Sequence, residues 1–160
     1  MSRKTKTFFG IMIGAIVCLT FGGLSGFVTR EAIPTWYVGL NKPLFTPPNS
    51  IFGPVWTTLY VLMGGAAGWI WSFGSHHRWV KTALYHFVAQ LVVNALWSSV
   101  FFGLRNPGMG LLVILLLLFL IQRTIHWFSI IHKPAAYLLY PYMAWVAFAS
   151  VLNLAIFYLN

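Results

Sequence analysis

Long apolar stretches, separated by short basic or proline-containing segments, run the length of this sequence. Five of them, near 8–28, 51–71, 82–102, 109–131 and 135–158, reach or exceed the span needed to cross a bilayer, which is about 20 mostly apolar residues. The pattern predicts an all-α integral membrane protein, a single five-helix transmembrane domain over residues 1–160. Arg3, Lys4 and Lys6 precede the first stretch as they would in a signal peptide. The stretch is long for one, and no small-residue cleavage site follows it, so a retained helix is expected. It carries a ridge of small residues four apart, Gly10, Gly14, Cys18, Gly22 and Gly26, repeated by Gly64 and Gly68 in the second. Small residues at that spacing let helices approach closely in lipid. The fourth stretch, LLVILLLLFLI from Leu111 to Ile121, is apolar all round and is expected to face lipid.

Polar side chains inside such spans are expensive and so informative. Gln90, Asn94, Trp97, Ser98 and Phe101 fall on one face of the third helix. Tyr142, Trp145, Ala149 and Asn153 share a face of the fifth, and Trp56 and Tyr60 stand one turn apart in the second. Two readings apply to the amides. Interhelical bonding would use them as connectors, worth about 0.6 kcal/mol each. A ligand pocket would use them as anchors among aromatic walls. The large aromatics beside them favour the pocket for the set as a whole, while for Gln90 and Asn153 the two stay even. Trp71, Trp79, Trp127 and Tyr158 lie near helix ends, where aromatic belts are ordinary.

The segment 29–50 reads as a loop of about 22 residues, longer than structureless loops usually are. Pro34, Pro43, Pro47 and Pro48 stiffen it, and Trp36, Tyr37, Leu40, Leu44 and Phe45 make it apolar. It is expected to be a fixed lid over a cavity. Trp56, near the start of the second helix, is placed nearer that lid than Trp145.

Composition narrows the function. Only 7% of the 160 residues are charged and 59% are hydrophobic, and Glu31 is the sole acid. No carboxylate pair exists, and no strong metal-ligand constellation is present. A net charge of +9 could suggest nucleic acid, but the cations are scattered between apolar runs. Basic loops against anionic lipid explain them better. Seven cations (Arg3, Lys4, Lys6, Arg78, Lys81, Arg123, Lys133) fall on the N-terminal side and three (Arg30, Lys42, Arg105) on the other. The positive-inside rule then places the N-terminus in the cytoplasm. Cys18 has no partner for a disulfide. His86, with His126, offers a haem-ligation alternative.

The motifs PTWYVGLNKPLFTPP, FGPVWTTLY, QLVVNALWSSVFFG and PYMAWVAFASVLN, in that order from Pro34 to the end, resemble the tryptophan-rich sensory protein family, whose mitochondrial members are called translocator protein or peripheral benzodiazepine receptor. The resemblance implies a five-helix bundle, commonly a homodimer, whose pocket opens toward the first loop. It implies binding of porphyrins and benzodiazepine-type ligands, with porphyrin as ligand and no required cofactor. The pocket residues it implies are the loop pair Trp36 and Tyr37, the double proline Pro47 and Pro48, then Trp56, Asn94, Trp145 and Ala149. In some bacterial members the two tryptophans matching Trp56 and Trp145 are linked to light-driven porphyrin breakdown, which makes those two the catalytic candidates here. The sequence departs from the animal sterol-contact pattern, because Tyr158 is followed by no cation, so specific cholesterol binding is not expected. Val113 stands where some members carry an acid. A bacterial cell membrane is the expected location, ahead of the mitochondrial outer membrane.

Four functions follow for test: a tetrapyrrole-binding sensor, scavenger or transporter; a light- and oxygen-dependent porphyrin-degrading enzyme; a haem-ligating subunit; and a structural partner whose aromatic faces only join helices.

Overall fold

The computed structural model describes residues 2–160, and every regular element among them is helical. The elements are α1 (Arg3–Thr35), a 3₁₀ turn (Tyr37–Gly39), α2 (Asn49–Trp71), α3 (Arg78–Ser98), a π-helical turn (Ser99–Gly103), α4 (Pro107–Ile131), a short α5 (Lys133–Tyr137) and α6 (Tyr140–Leu159). Five spans are long and apolar enough to cross a membrane, α5 and α6 together forming the fifth. The chain is a multi-pass integral membrane protein.

Three boundaries differ from the sequence reading. Helix α1 runs on to Thr35, past the expected end near residue 28, so the loop is 36–48 and not 29–50. Pro34 lies within α1. It stands so near the end that the chain leaves the helix two residues later. At 33 residues α1 is about 50 Å long, well beyond the roughly 30 Å hydrocarbon layer, so polar Thr29, Arg30 and Glu31 cost little in its last turns. Pro54 likewise sits inside α2, in its second turn. The fifth span is not one helix. It breaks at Leu138 and Leu139, and Pro141, which lacks an N–H, opens α6 at a position that needs none.

Helices α1 and α2 lie in the closest contact of the bundle. A Cβ at Gly10 would come 2.5 Å from the Gly68 carbonyl oxygen, and one at Gly14 or Gly64 would overlap the opposite backbone. The Thr7 and Ser72 hydroxyls meet at 3.1 Å near the end of this seam. Helix α3 lies along α4, and α4 along α6. The fourth span is not lipid-facing all round: Leu112, Leu115, Leu116 and Phe119 are exposed, but Ile114, Leu117 and Ile121 are fully buried. An unbroken apolar run hides which side of a helix meets protein, because both environments accept leucine. The outward rows of α1 and α3, such as Phe9, Ile13, Ile16, Val88 and Val92, stay exposed, as a bilayer solvent requires.

Candidate functional site

At the loop end of the bundle, α1, α2, α3 with its π turn, and α6 diverge around a cavity of about 440 Å³. Helix α4 contributes nothing to its wall. Helix α2 supplies Phe52, Trp56 and Tyr60, at i, i+4 and i+8 on one face. Helix α6 supplies Trp145, Ala149, Leu152, Asn153 and Ile156, again one face. From α3 come Trp97 and Ser98, and from the π turn Phe101 and Phe102. The wider π turn lets two consecutive aromatics border the same space. Helix α1 closes the ring with Gly22, Ser25, Gly26, Thr29 and Ile33. Arg30 is the one charged side chain on the wall.

Of the predicted site residues, Tyr37, Trp56, Tyr60, Trp97, Phe101, Trp145, Ala149 and Asn153 border the cavity. Trp36, Pro47, Pro48, Gln90, Asn94 and Tyr142 do not. Trp36 packs edge-on against Phe101 at 5.6 Å, one layer behind the wall. Pro47 is half-buried and Pro48 exposed, where it caps the start of α2. Gln90, Asn94 and Tyr142 are no more than 1% exposed and form a chain of hydrogen bonds. The Tyr60 hydroxyl donates to Asn94 Oδ1 at 3.0 Å. Asn94 Nδ2 donates to the Tyr142 oxygen at 2.7 Å, and the Tyr142 hydroxyl donates to Gln90 Oε1 at 2.8 Å. These groups tie α2, α3 and α6 together beside the cavity. Asn153 does both jobs. It borders the cavity, accepts from Trp97 Nε1 at 3.3 Å and donates to the Pro107 carbonyl at 2.7 Å.

Ring contacts order the two tryptophans in depth. Trp56 lies against Tyr60, Trp97 and Tyr142, at 5.9, 6.2 and 6.3 Å between centroids. Trp145 lies against Phe52 at 6.1 Å, one turn closer to the loop on α2. Helices α2 and α6 run antiparallel, so Trp145 sits nearer the loop and Trp56 deeper, the reverse of the sequence expectation. Counting residues from the loop measured position along each helix but not the offset between helices.

The loop itself is fastened down. Lys42 Nζ donates to the carbonyls of Tyr37, Val38 and Leu40 at 2.8, 3.1 and 2.9 Å. The Asn41 N–H donates to Asn160 Oδ1 at 3.0 Å, and Asn160 Nδ2 returns a bond to the Asn41 carbonyl at 2.9 Å. Phe45 packs on Phe148 of α6. Of the loop only Tyr37 reaches the cavity. It is 2% exposed, and burial pushes its phenol up to about 12, so it stays neutral.

The histidines lie elsewhere. His86 Nδ1 sits 2.8 Å from the Thr82 carbonyl, and its ring packs on Trp127, as does that of His126. Neither borders the cavity, and no three His, Cys, Asp or Glu side chains among the described residues could share a metal ion.

Sequence reasoning missed the α1 wall and Phe52, Thr57, Phe102, Leu152 and Ile156. Phe52 was legible four residues before Trp56, and Leu152 and Ile156 continue the Trp145–Ala149 face. Phe102 was not, because a helix of ordinary pitch would turn it away from Phe101.

The arrangement offers flat aromatic surfaces on several sides, few hydrogen-bonding groups and one cation at the rim. That suits a planar, largely apolar molecule.

Residues 14–159 match the profile of the TspO/MBR family. The tryptophan-rich protein TspO of Archaeoglobus fulgidus is 42% identical over 94% of this chain and 96% of its own. The translocator protein of Bos taurus is 37% identical over 88% and 85%. The tryptophan-rich sensory protein of Cereibacter sphaeroides is 34% identical over 78% and 77%.

Proposed function

The chain belongs to the TspO/MBR family, and from that premise we propose that it is a membrane receptor for tetrapyrroles such as protoporphyrin IX, and for benzodiazepine-type ligands, acting as sensor, scavenger or transporter. The observation that carries this reading is the cavity: about 440 Å³ walled by Trp56, Trp97, Trp145, Tyr60 and Phe101 and closed at one end by Tyr37. Stacked or edge-on aromatic contacts add about 0.5–1.5 kcal/mol each beyond burial of apolar area. Few wall groups demand a polar partner, so a macrocycle loses little on leaving lipid for this site. Titration of the purified protein with protoporphyrin IX, read by tryptophan quenching, tests it. Saturable quenching that is weakened by Ala149→Trp, which fills the cavity, supports the reading. Quenching that is non-saturable, or unaffected by that change, would refute it.

A second reading, light- and oxygen-dependent porphyrin degradation, is favoured by one observation. Trp56 and Trp145, both oxidisable, border the same cavity from α2 and α6. Under illumination in air, Trp56→Phe and Trp145→Phe should slow bleaching of bound protoporphyrin far more than they weaken binding. Bleaching at the wild-type rate in both variants would remove the enzymatic reading and leave binding alone.

A further inference from the structure

The cavity is shut on the loop side and open on another. Its exposed wall residues are Leu19, Gly23, Gly26 and Arg30 on α1, with Gly53 and Thr57 on α2. Every wall residue from α3, the π turn and α6 is buried or half-buried. The cavity therefore meets the outside between α1 and α2. The glycines show how the gap arises. At Gly10, Gly14, Gly64 and Gly68 the two backbones touch, and at Gly22 an added Cβ would strike the Tyr60 ring. At Gly23, Gly26 and Gly53 an added Cβ would meet nothing within 4 Å. The seam is closed along one half of α1 and parted along the other. From Gly23 to Arg30 the parted edge is about 10 Å long at the helical rise. Its flanks are apolar and exposed, Leu24 and Phe27 on α1 among them, so in a membrane they face lipid.

We infer that ligands reach the cavity sideways from the bilayer, through this slot between α1 and α2, and not beneath the loop. The inference rests on the binding function proposed above and adds a selection rule to it. A ligand must first dissolve in lipid, and an acidic group it carries comes to rest at Arg30, the cation at the loop end of the slot. The loop, held by Lys42 and by the Asn41–Asn160 pair, is a fixed cap in this scheme. Gly23, Gly26 and Gly53 are small because side chains there would fill the slot, whereas Gly14 and Gly64 are small because the helices touch.

The test uses the full chain in phosphatidylcholine vesicles and protoporphyrin IX delivered from a second vesicle population, followed by tryptophan quenching. Gly26→Leu with Gly53→Leu places side chains where the structure has open space. Association and dissociation should both slow by about tenfold, as for any narrowed gate. A second form avoids dependence on one folded variant: Gly26→Cys with Gly53→Cys, in a Cys18→Ala background, bridged by a bis-methanethiosulfonate reagent, which loses two sulfinates as it forms two disulfides that a reducing agent cleaves. Bridging should slow exchange, and cleavage should restore it in the same sample. Unchanged rates in both forms would overturn the inference, as would faster exchange in Lys42→Met, which frees the loop alone. Lower affinity with unchanged association would also overturn it, by showing that the new side chains only fill the cavity. If the wild type binds no protoporphyrin, the proposed function fails and the inference falls with it.

Discussion

Asn94 shows how a single side chain can look like a ligand anchor and be a connector. Its amide accepts from Tyr60 and donates to Tyr142, and the residue is 1% exposed. A buried polar group in lipid is tolerated only when paired, and here protein supplies both partners. Asn94→Ala should lower stability by about 1–2 kcal/mol, between the value for a typical intramembrane bond and that for a stranded buried group. Thermal unfolding in detergent measures this. Porphyrin affinity should move less than stability, because Asn94 does not border the cavity; a large loss of affinity with unchanged melting would make it an anchor after all. Trp56 and Trp97, at 6.2 Å from one another, were legible as pocket residues from the periods that placed them on inward faces. Whether a neighbouring amide served ligand or helix was not legible, since the same period brings both uses to the same face.

Among the elements, α1 does two things with one motif. Its first half is a seam and its second half a wall, though glycine recurs four apart through both. Gly64→Leu would drive a side chain into the α1 backbone. It should cost about 3 kcal/mol, the upper range for overpacking a filled interface. Gly26→Leu should leave the melting temperature unchanged or raise it, since leucine is the better helix former. Parallel melting of the two variants checks this, and equal losses would mean that α1 is seamed along its whole length. The loop makes a different case. Proline spacing announced a stiff segment, but the fastening comes from Lys42, whose ammonium caps three carbonyls and lies 5.0 Å from the Tyr37 ring. Removing it in Lys42→Met should cost about 1.4 kcal/mol of local order, near the net worth of a hydrogen bond to a charged group. Amide exchange at Gly39 and Leu40 should then be about tenfold faster, with little change in global melting. Unaltered exchange would mean the prolines hold the loop without help.

For the whole molecule, five spans put the N-terminus and the α2–α3 turn at one end, where Arg3 lies 4.9 Å over the Phe73 ring. The Asn41–Asn160 pair joins the loop to the end of α6 at the other. Seven cations lie toward the first end and three toward the other, so by the positive-inside rule the first end is expected in the cytoplasm. With cysteines placed at Ser2 or Asn49 in a Cys18→Ala background, an impermeant thiol reagent outside the cell should label position 49 and spare position 2. The opposite pattern would invert the molecule. At this scale the sequence was most informative, because span number and length depend on hydrocarbon thickness alone. It was least informative about where elements stop and how they offset, as at Thr35, Leu139 and the depth of Trp145. Those features depend on contacts between segments far apart in the chain.

The bond between Asn41 and Asn160 also has a consequence for how the protein is made. A ribosome releases the first two spans into the membrane long before the fifth. Through that interval the loop between them has Lys42 to order it, but neither its partner asparagine nor the Phe148 ring that Phe45 rests on. The half-built chain is thus a hairpin with an unclosed cavity, and the cavity is finished by the last helix. Fusions or truncations at the end of α6 should therefore be felt first at the far side of the sequence, in the loop after α1.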